Sequence, residues 1–180
     1  AEARIACDQG AVELDMVANV GKAVGGDWQA VADDIADVLQ VARSYSALLK
    51  VIVETDYHTS DEMKIRFCEV VSDVGADFIK TSTGKVSPAA TLPVTLVMLE
   101  AIREHYLETG VQIGMKPAGG IRSAKLAIHY LVLVAETLGS DWLDPHWFRF
   151  GASSLVNDLL HQLTRRAEGG YPSPRRFSVD

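Results

Sequence analysis

Cysteine is nearly absent: Cys7 and Cys68 are the two in 180 residues, and their surroundings offer neither a disulfide framework nor a zinc knuckle. Such sparse usage points to a reducing cytosol. Proline and glycine are modest at 6 and 14, and with 48% hydrophobic and 23% charged residues the composition excludes collagen-like, fibrous and disordered chains. No apolar run approaches the ~20 residues of a membrane span. The opening Ala1-Glu2-Ala3-Arg4 also lacks the basic and then apolar pattern of a signal peptide, so the protein reads as soluble and cytoplasmic, with no membrane partner. Positive charge is in deficit, 17 Lys+Arg against 24 Asp+Glu for a net charge of -7, which excludes a protein that works by neutralising a nucleic-acid backbone. A small anionic ligand stays open, because a local site can be positive on an acidic protein. The 5 histidines, His58, His105, His129, His146 and His161, lack metal-ligand spacing and read as surface or capping residues.

What is present is an alternation of short apolar strands and amphipathic helices, on a chain with the length of one ordinary domain. A helix under way at residue 1 leads through Gly10 to a strand at Val12–Val17. A turn at Gly21–Gly26 precedes a helix over Asp27–Ser44, with Val31, Ile35, Val38, Leu39 and Ala42 at helical spacing and Asp27 as N-cap. The nearly continuous apolar run Leu48–Glu54 predicts a strand covered on both faces. Thr59 with Glu62 predicts a capping box and a helix that Gly75 ends. Then follow a strand at Asp77–Thr81, a helix from about Thr91 to Tyr106 and a strand at Val111–Lys116. A helix capped by Ser123 runs to about Leu138, Phe148–Phe150 is a last short strand, and Ser153 or Ser154 caps a helix to about Arg166. Right-handed crossovers of such βα units make a parallel sheet with helices outside. Two closures fit: an open doubly wound sheet, or part of a (β/α)8 barrel, for which ~250 residues is typical. Residues 1–167 read as one α/β domain and 168–180 as an irregular tail.

In both architectures ligands bind where strands end and loops begin. Those positions carry Asp15 and Asn19, then Glu54 and Thr55, then Lys80 with Thr81-Ser82-Thr83-Gly84-Lys85, then Lys116 with Gly119-Gly120, and last Gly151-Ala152-Ser153-Ser154. A single strand-terminal lysine is explained by snorkelling its head to water. Two on adjacent strands facing one mouth point elsewhere: each ammonium raises the cost of protonating the other, and only a neutral amine attacks a carbonyl. Asp15 should point away from Leu14 and Met16, where it either balances a lysine or shuttles a proton beside the pair. Gly119-Gly120 ahead of the Ser123 helix, and Gly151 ahead of Ser153-Ser154, offer backbone N–H groups and a positive helix end suited to phosphate. Such glycines and serines also simply end strands and cap helices. Glu54 either orients a lysine or pairs with one, Cys68 reads as core, and Trp142, Trp147 and Phe148 as packing between helices and sheet.

Five segments carry a resemblance: Glu13-Leu14-Asp15-Met16-Val17, Leu49-Lys50-Val51-Ile52-Val53-Glu54-Thr55, Gly75 to Lys85 (GADFIKTSTGK), Met115-Lys116-Pro117-Ala118-Gly119-Gly120-Ile121-Arg122, and Phe148 to Leu155 (FRFGASSL). They closely resemble, in order, the successive motifs of the deoxyribose-phosphate aldolase family. The resemblance runs to about Leu163 and implies a class I aldolase on a (β/α)8 TIM barrel. Such an enzyme cleaves 2-deoxy-D-ribose 5-phosphate reversibly to D-glyceraldehyde 3-phosphate and acetaldehyde, with no metal or organic cofactor. It implies Lys80 as Schiff-base nucleophile, Lys116 as the neighbouring cation and Asp15 as the carboxylate that works with Lys116 and a water in proton transfer. Thr81, Gly84, Lys85, Gly119, Gly120, Arg122, Gly151, Ser153 and Ser154 would surround the substrate and its phosphate. The partners it implies are a phosphorylated sugar and aldehydes.

Two departures qualify the resemblance. About the last five βα units of the barrel are recognisable, so the sequence reads as N-terminally incomplete, and its open sheet edges would leave it unstable or drive it to complete itself with another chain, as in a homodimer. Where family members place a C-terminal tyrosine near the site, this sequence ends in Val179-Asp180, and Tyr171 is the nearest candidate. The alternatives are another barrel Schiff-base lyase or transaldolase acting on a different phosphorylated sugar, and a non-catalytic phosphosugar-binding fragment.

Overall fold

The computed structural model describes residues 1–173 and 176–177. The rest of the expected tail lies outside the described residues. Helix α1 (Glu2–Asp8) leads into strand β1 (Glu13–Val17). The Gly21–Gly26 stretch, expected as a turn, instead begins with a short helix α2 (Val20–Val24), because the Asn19 side chain accepts a hydrogen bond from Lys22 N–H at its open end. Helix α3 (Trp28–Ser44) is capped by Asp27 as expected and buries Val31, Ile35 and Ala42. It returns the chain to strand β2 (Leu48–Ile52), where all but the first residue are buried.

Helix α4 (Asp61–Val74) starts one residue later than the capping-box reading, since Ser60 Oγ rather than Thr59 accepts from Met63 N–H. Gly75 ends it in the left-handed conformation, at φ 90°, that a Cβ would strain. Strand β3 (Phe78–Lys80), helix α5 (Leu92–Thr109), strand β4 (Gly114–Lys116), helix α6 (Ala124–Leu138) and helix α7 (Leu155–Glu168) complete the order. Ser154 precedes α7 without a side-chain cap bond.

The sheet is parallel in the order β1-β2-β3-β4, with Asp15 opposite Lys50 and Lys80 opposite Lys116. Residues 148–151 run parallel beyond β4 but form two separate bridges rather than the regular fifth strand expected. The reason is Pro117. Met115 N–H donates to Trp147 O, Arg149 N–H to Met115 O, Gly151 N–H to Pro117 O and Gly119 N–H to Gly151 O. The rung between them would need an N–H at residue 117, which proline lacks.

The two faces of the sheet differ in kind. Leu14, Met16, Leu49, Val51, Val53, Ile79 and Met115 face the helices and join the main core with Phe67, Leu99, Ile102 and Trp142. The alternate residues, Glu13, Asp15, Lys50, Phe78, Lys80 and Lys116, face the other way, as a period of two requires. Phe78 lies flat enough over β4 that a Cβ on Gly114 would stand 2.4 Å from its ring, so glycine is the residue that fits there. His58, expected at the surface, is 2% exposed: its Nε2 pairs with Val53 O and its ring stands edge-on to Phe67.

Candidate active site

The charged face gathers four strands' worth of side chains around Asp15. Its Oδ2 accepts from Lys116 Nζ at 2.6 Å and Lys80 Nζ at 2.8 Å, while Oδ1 accepts from Lys50 Nζ at 3.1 Å. Lys50 also meets Glu13 at 2.7 Å, and Glu13 receives both arms of the Arg149 guanidinium at 3.1 Å. Cations and carboxylates therefore alternate from Arg149 across to Lys80 and Lys116, with the Phe78 ring between Lys50 and Arg149. Burial pushes the Asp15 carboxyl up, but hydrogen bonds from Lys116 and Lys80 and the charges of both outweigh it. The carboxyl is held well below the usual carboxylate range. Hydrogen bonds from Lys50 and then Arg149 hold Glu13 low in the same way.

Lys80 is 13% exposed and Lys116 18%, so both amines reach the open side of the sheet while sharing one carboxylate oxygen. Such a set can present an amine to a carbonyl, keep a second cation beside it and hold an ionised carboxylate oxygen within hydrogen-bond reach of both. Among the described residues no three His, Cys, Asp or Glu side chains converge to hold a metal ion.

The glycine-rich loops meet at the same strand ends. A Cβ on Gly119 would stand 3.2 Å from the Gly84 Cα and 2.5 Å from the Ala89 Cβ, and a Cβ on Gly151 would stand 2.4 Å from the Ala118 Cβ. Their absence of side chains lets three loops close on one another. The N–H groups of Gly84, Gly119 and Gly151 are spent within the protein, on Ser82 Oγ, Gly151 O and Pro117 O. Gly120, Ser153 and Ser154 have backbone N–H groups with no hydrogen bond among the described residues, and Lys85, next to Gly84, and Arg122, two residues past Gly120, are exposed. Thr81, expected among the substrate contacts, is fully buried: its hydroxyl donates to Ala118 O and accepts from Ala118 N–H, tying β3 to β4 beneath the site.

A family model described as DeoC/LacD family aldolase matches residues 1–161. The chain belongs to the DeoC/LacD aldolase family. The deoxyribose-phosphate aldolases of Mus musculus and Homo sapiens are each 42% identical to it over 170 residues, which is 94% of this chain and 53% of theirs. The chain thus spans about half the length of these curated relatives. Among solved structures, the aldolase QR15 superposes with a TM-score of 0.73 at 30% identity, covering 93% of this chain and 66% of that one. The tetrameric deoxyribose phosphate aldolase from Aeropyrum pernix gives 0.70 at 26%, covering 91% of this chain and 60% of that one. By this likeness the sheet is an arc of a (β/α)8 barrel and its charged face is the barrel interior.

Within this aldolase family arc, Asp15, Lys80 and Lys116 come together as expected. Glu54 is a correction: it orients no lysine, and its buried carboxylate accepts from Thr83 N–H at 3.1 Å and Thr83 Oγ–H at 2.6 Å. Tyr171 is another, since it is 58% exposed and its hydroxyl accepts from Arg165 at 2.7 Å, at the far end of α7. The sequence reading missed Glu13, Lys50 and Arg149 as members of the ionic chain. Lys50 carried a usable signal, a lysine inside the run Leu48-Leu49-Lys50-Val51-Ile52 that stays 3% exposed.

Proposed function

We propose that this site performs class I aldol chemistry on 2-deoxy-D-ribose 5-phosphate. The observation that carries the reading is the single oxygen of Asp15 shared by Lys80 at 2.8 Å and Lys116 at 2.6 Å. The neutral Lys80 amine attacks the C1 aldehyde of the open-chain sugar, and loss of water leaves a protonated imine. Removal of the C3 hydroxyl proton then breaks the C2–C3 bond. Its electron pair flows into the imine, releasing D-glyceraldehyde 3-phosphate and leaving an enamine. Protonation at C2 and hydrolysis release acetaldehyde and restore the amine. Asp15, with Lys116 and a water, moves those protons, and Lys116 keeps a positive charge beside the imine. Lys85, Arg122, the N–H groups of Gly120, Ser153 and Ser154 and the positive end of α7 receive the phosphate. Gly84, Gly119 and Gly151 contribute by close packing of the loops that carry those groups.

The same reading includes a cytoplasmic setting, supported by two unpaired buried thiols, and self-association, for which a homodimer is the simplest form; the Aeropyrum pernix aldolase is a tetramer. The test is an intact-mass spectrum after borohydride reduction with acetaldehyde, followed by peptide mapping. One added ethyl group on Lys80, absent in Lys80→Arg, is the expected result. An unmodified Lys80 in a folded sample overturns the aldolase reading.

A further inference from the structure

The turn that follows β2 does work that the lysine chemistry does not use. Glu54 is 4% exposed and sits in the left-handed region at φ 51°, a conformation costly for a residue with a Cβ unless its surroundings require it. What that backbone achieves is aim: the carboxylate crosses to the next βα loop and takes both polar groups of Thr83, N–H at 3.1 Å and Oγ–H at 2.6 Å. Because the Thr83 hydroxyl gives its proton to Glu54, its lone pairs are free to accept Lys85 N–H, at 3.2 Å. Two residues on, Asp56 Oδ1 accepts Ala89 N–H at 3.0 Å. One short turn therefore grips the 83–89 loop at both ends. The residues between the grips, Gly84 to Pro88, include Lys85, exposed and with no ion pair among the described residues. The inner side of that loop rests on Gly119, where Gly84 and Ala89 leave no room for a Cβ. A buried polar group is retained where hydrogen bonds use it, and among the described residues both Glu54 oxygens accept from Thr83 of this loop.

We propose that Glu54 and Asp56 are positioning residues that hold the 83–89 loop against Gly119 and Gly120, so that Lys85 recognises the phosphate end of the substrate. This inference rests on the aldolase reading for the identity of the ligand, but not for the clamp itself. Since neither carboxylate touches Lys80, Lys116 or Asp15, the clamp discriminates phosphorylated from unphosphorylated substrates without altering the amine chemistry.

The experiment compares wild type, Glu54→Ala, Glu54→Gln, Asp56→Asn and Lys85→Ala with 2-deoxyribose 5-phosphate and with 2-deoxyribose. Borohydride trapping of acetaldehyde and amide exchange across residues 83–89 are measured on the same samples. In Glu54→Ala, KM for the phosphorylated sugar should rise about tenfold or more, while kcat/KM for the unphosphorylated sugar changes by less than about twofold. Glu54→Gln, which keeps one acceptor, should fall between, and Glu54→Ala should add no further rise to KM in the Lys85→Ala background. The Lys80 adduct should form as in wild type, and the amides of 83–89 should exchange faster while those of β2 and β3 do not. Equal losses on both sugars, additive effects with Lys85→Ala, or unchanged exchange at 83–89 would overturn the proposal. If wild type neither cleaves the sugar nor traps acetaldehyde, the aldolase reading fails, and the exchange comparison in Glu54→Gln and Asp56→Asn alone decides the clamp.

Discussion

Replacing Asp15 by asparagine tests the electrostatics of the site apart from its chemistry. The wild-type carboxylate holds three ammonium groups at 2.6, 2.8 and 3.1 Å. At a charge separation of about 3 Å and an effective dielectric of about 20, each attraction is worth roughly 5 kcal/mol, most of it offset by the cost of taking the ions out of water. Removing one member of a buried ion pair typically costs about 3–5 kcal/mol. Asp15 keeps 26% of its side-chain exposure and Lys50 retains Glu13 at 2.7 Å, so solvent screening and the second carboxylate reduce the expectation to about 2–4 kcal/mol. Asparagine keeps one accepting oxygen but turns its NH2 toward the lysine or lysines that met the other oxygen. In urea, with a slope of about 2 kcal/mol/M for a chain of this size, the midpoint should fall by about 1–2 M at pH 7. The pH dependence fixes the sign. Asp15 is held below its ordinary value in the folded state, so its contribution is complete above the unfolded value near 3.8 and declines as pH falls below it toward the folded value. Other carboxylates cancel in the comparison. A midpoint within about 0.3 M of wild type at pH 7, or a gap that does not narrow below about pH 4, would refute the reasoning.

Gly114→Ala should destabilise by about 1–3 kcal/mol, because its Cβ meets the Phe78 ring at 2.4 Å, and Phe78→Leu in the same chain should recover part of the loss in a denaturation curve. Ser60→Ala should lower stability by about 1 kcal/mol while Thr59→Ala changes it by less than about 0.5, since Ser60 is the residue that caps α4. Equal effects would restore Thr59 as the cap. Burial pushes the His58 imidazole below its usual range, outweighing its bond to Val53 O, so the folded state keeps it neutral while the unfolded chain takes up a proton below about pH 6.5. Its contribution is present above that pH and is lost as pH falls toward the folded value, so His58→Gln should flatten the stability decline between about pH 7.5 and 5.5. An unchanged slope would show that other groups set it.

Much of the site could be read along the chain because it obeys two local rules. Lys80 and Lys116 end apolar strands just before loops, and Asp15 falls one step from Leu14 and Met16, so a period of two put all three on one face before any pairing was known. The caps of α3 and α6 were legible for the same reason, being contacts over three residues. Where a local rule had two answers, as with Thr59 and Ser60, the adjacent residue won. The missing rung at Pro117 was also written in the chain, but it becomes a break only once residue 149 lies opposite.

The sequence by itself determined the alternation of strands and helices, the buried and charged faces of each strand, and the identity of the two lysines and the aspartate. These depend on periodicity and on neighbours within a few positions. The tertiary structure alone decided which charges meet. Glu13 and Arg149 pair across 136 positions, Asp15 stands opposite Lys50 through strand register, and Glu54 turns to Thr83 rather than to a lysine. The physical reason is that an ion pair is a property of distance in space, and register and loop closure set that distance only after the sheet has formed.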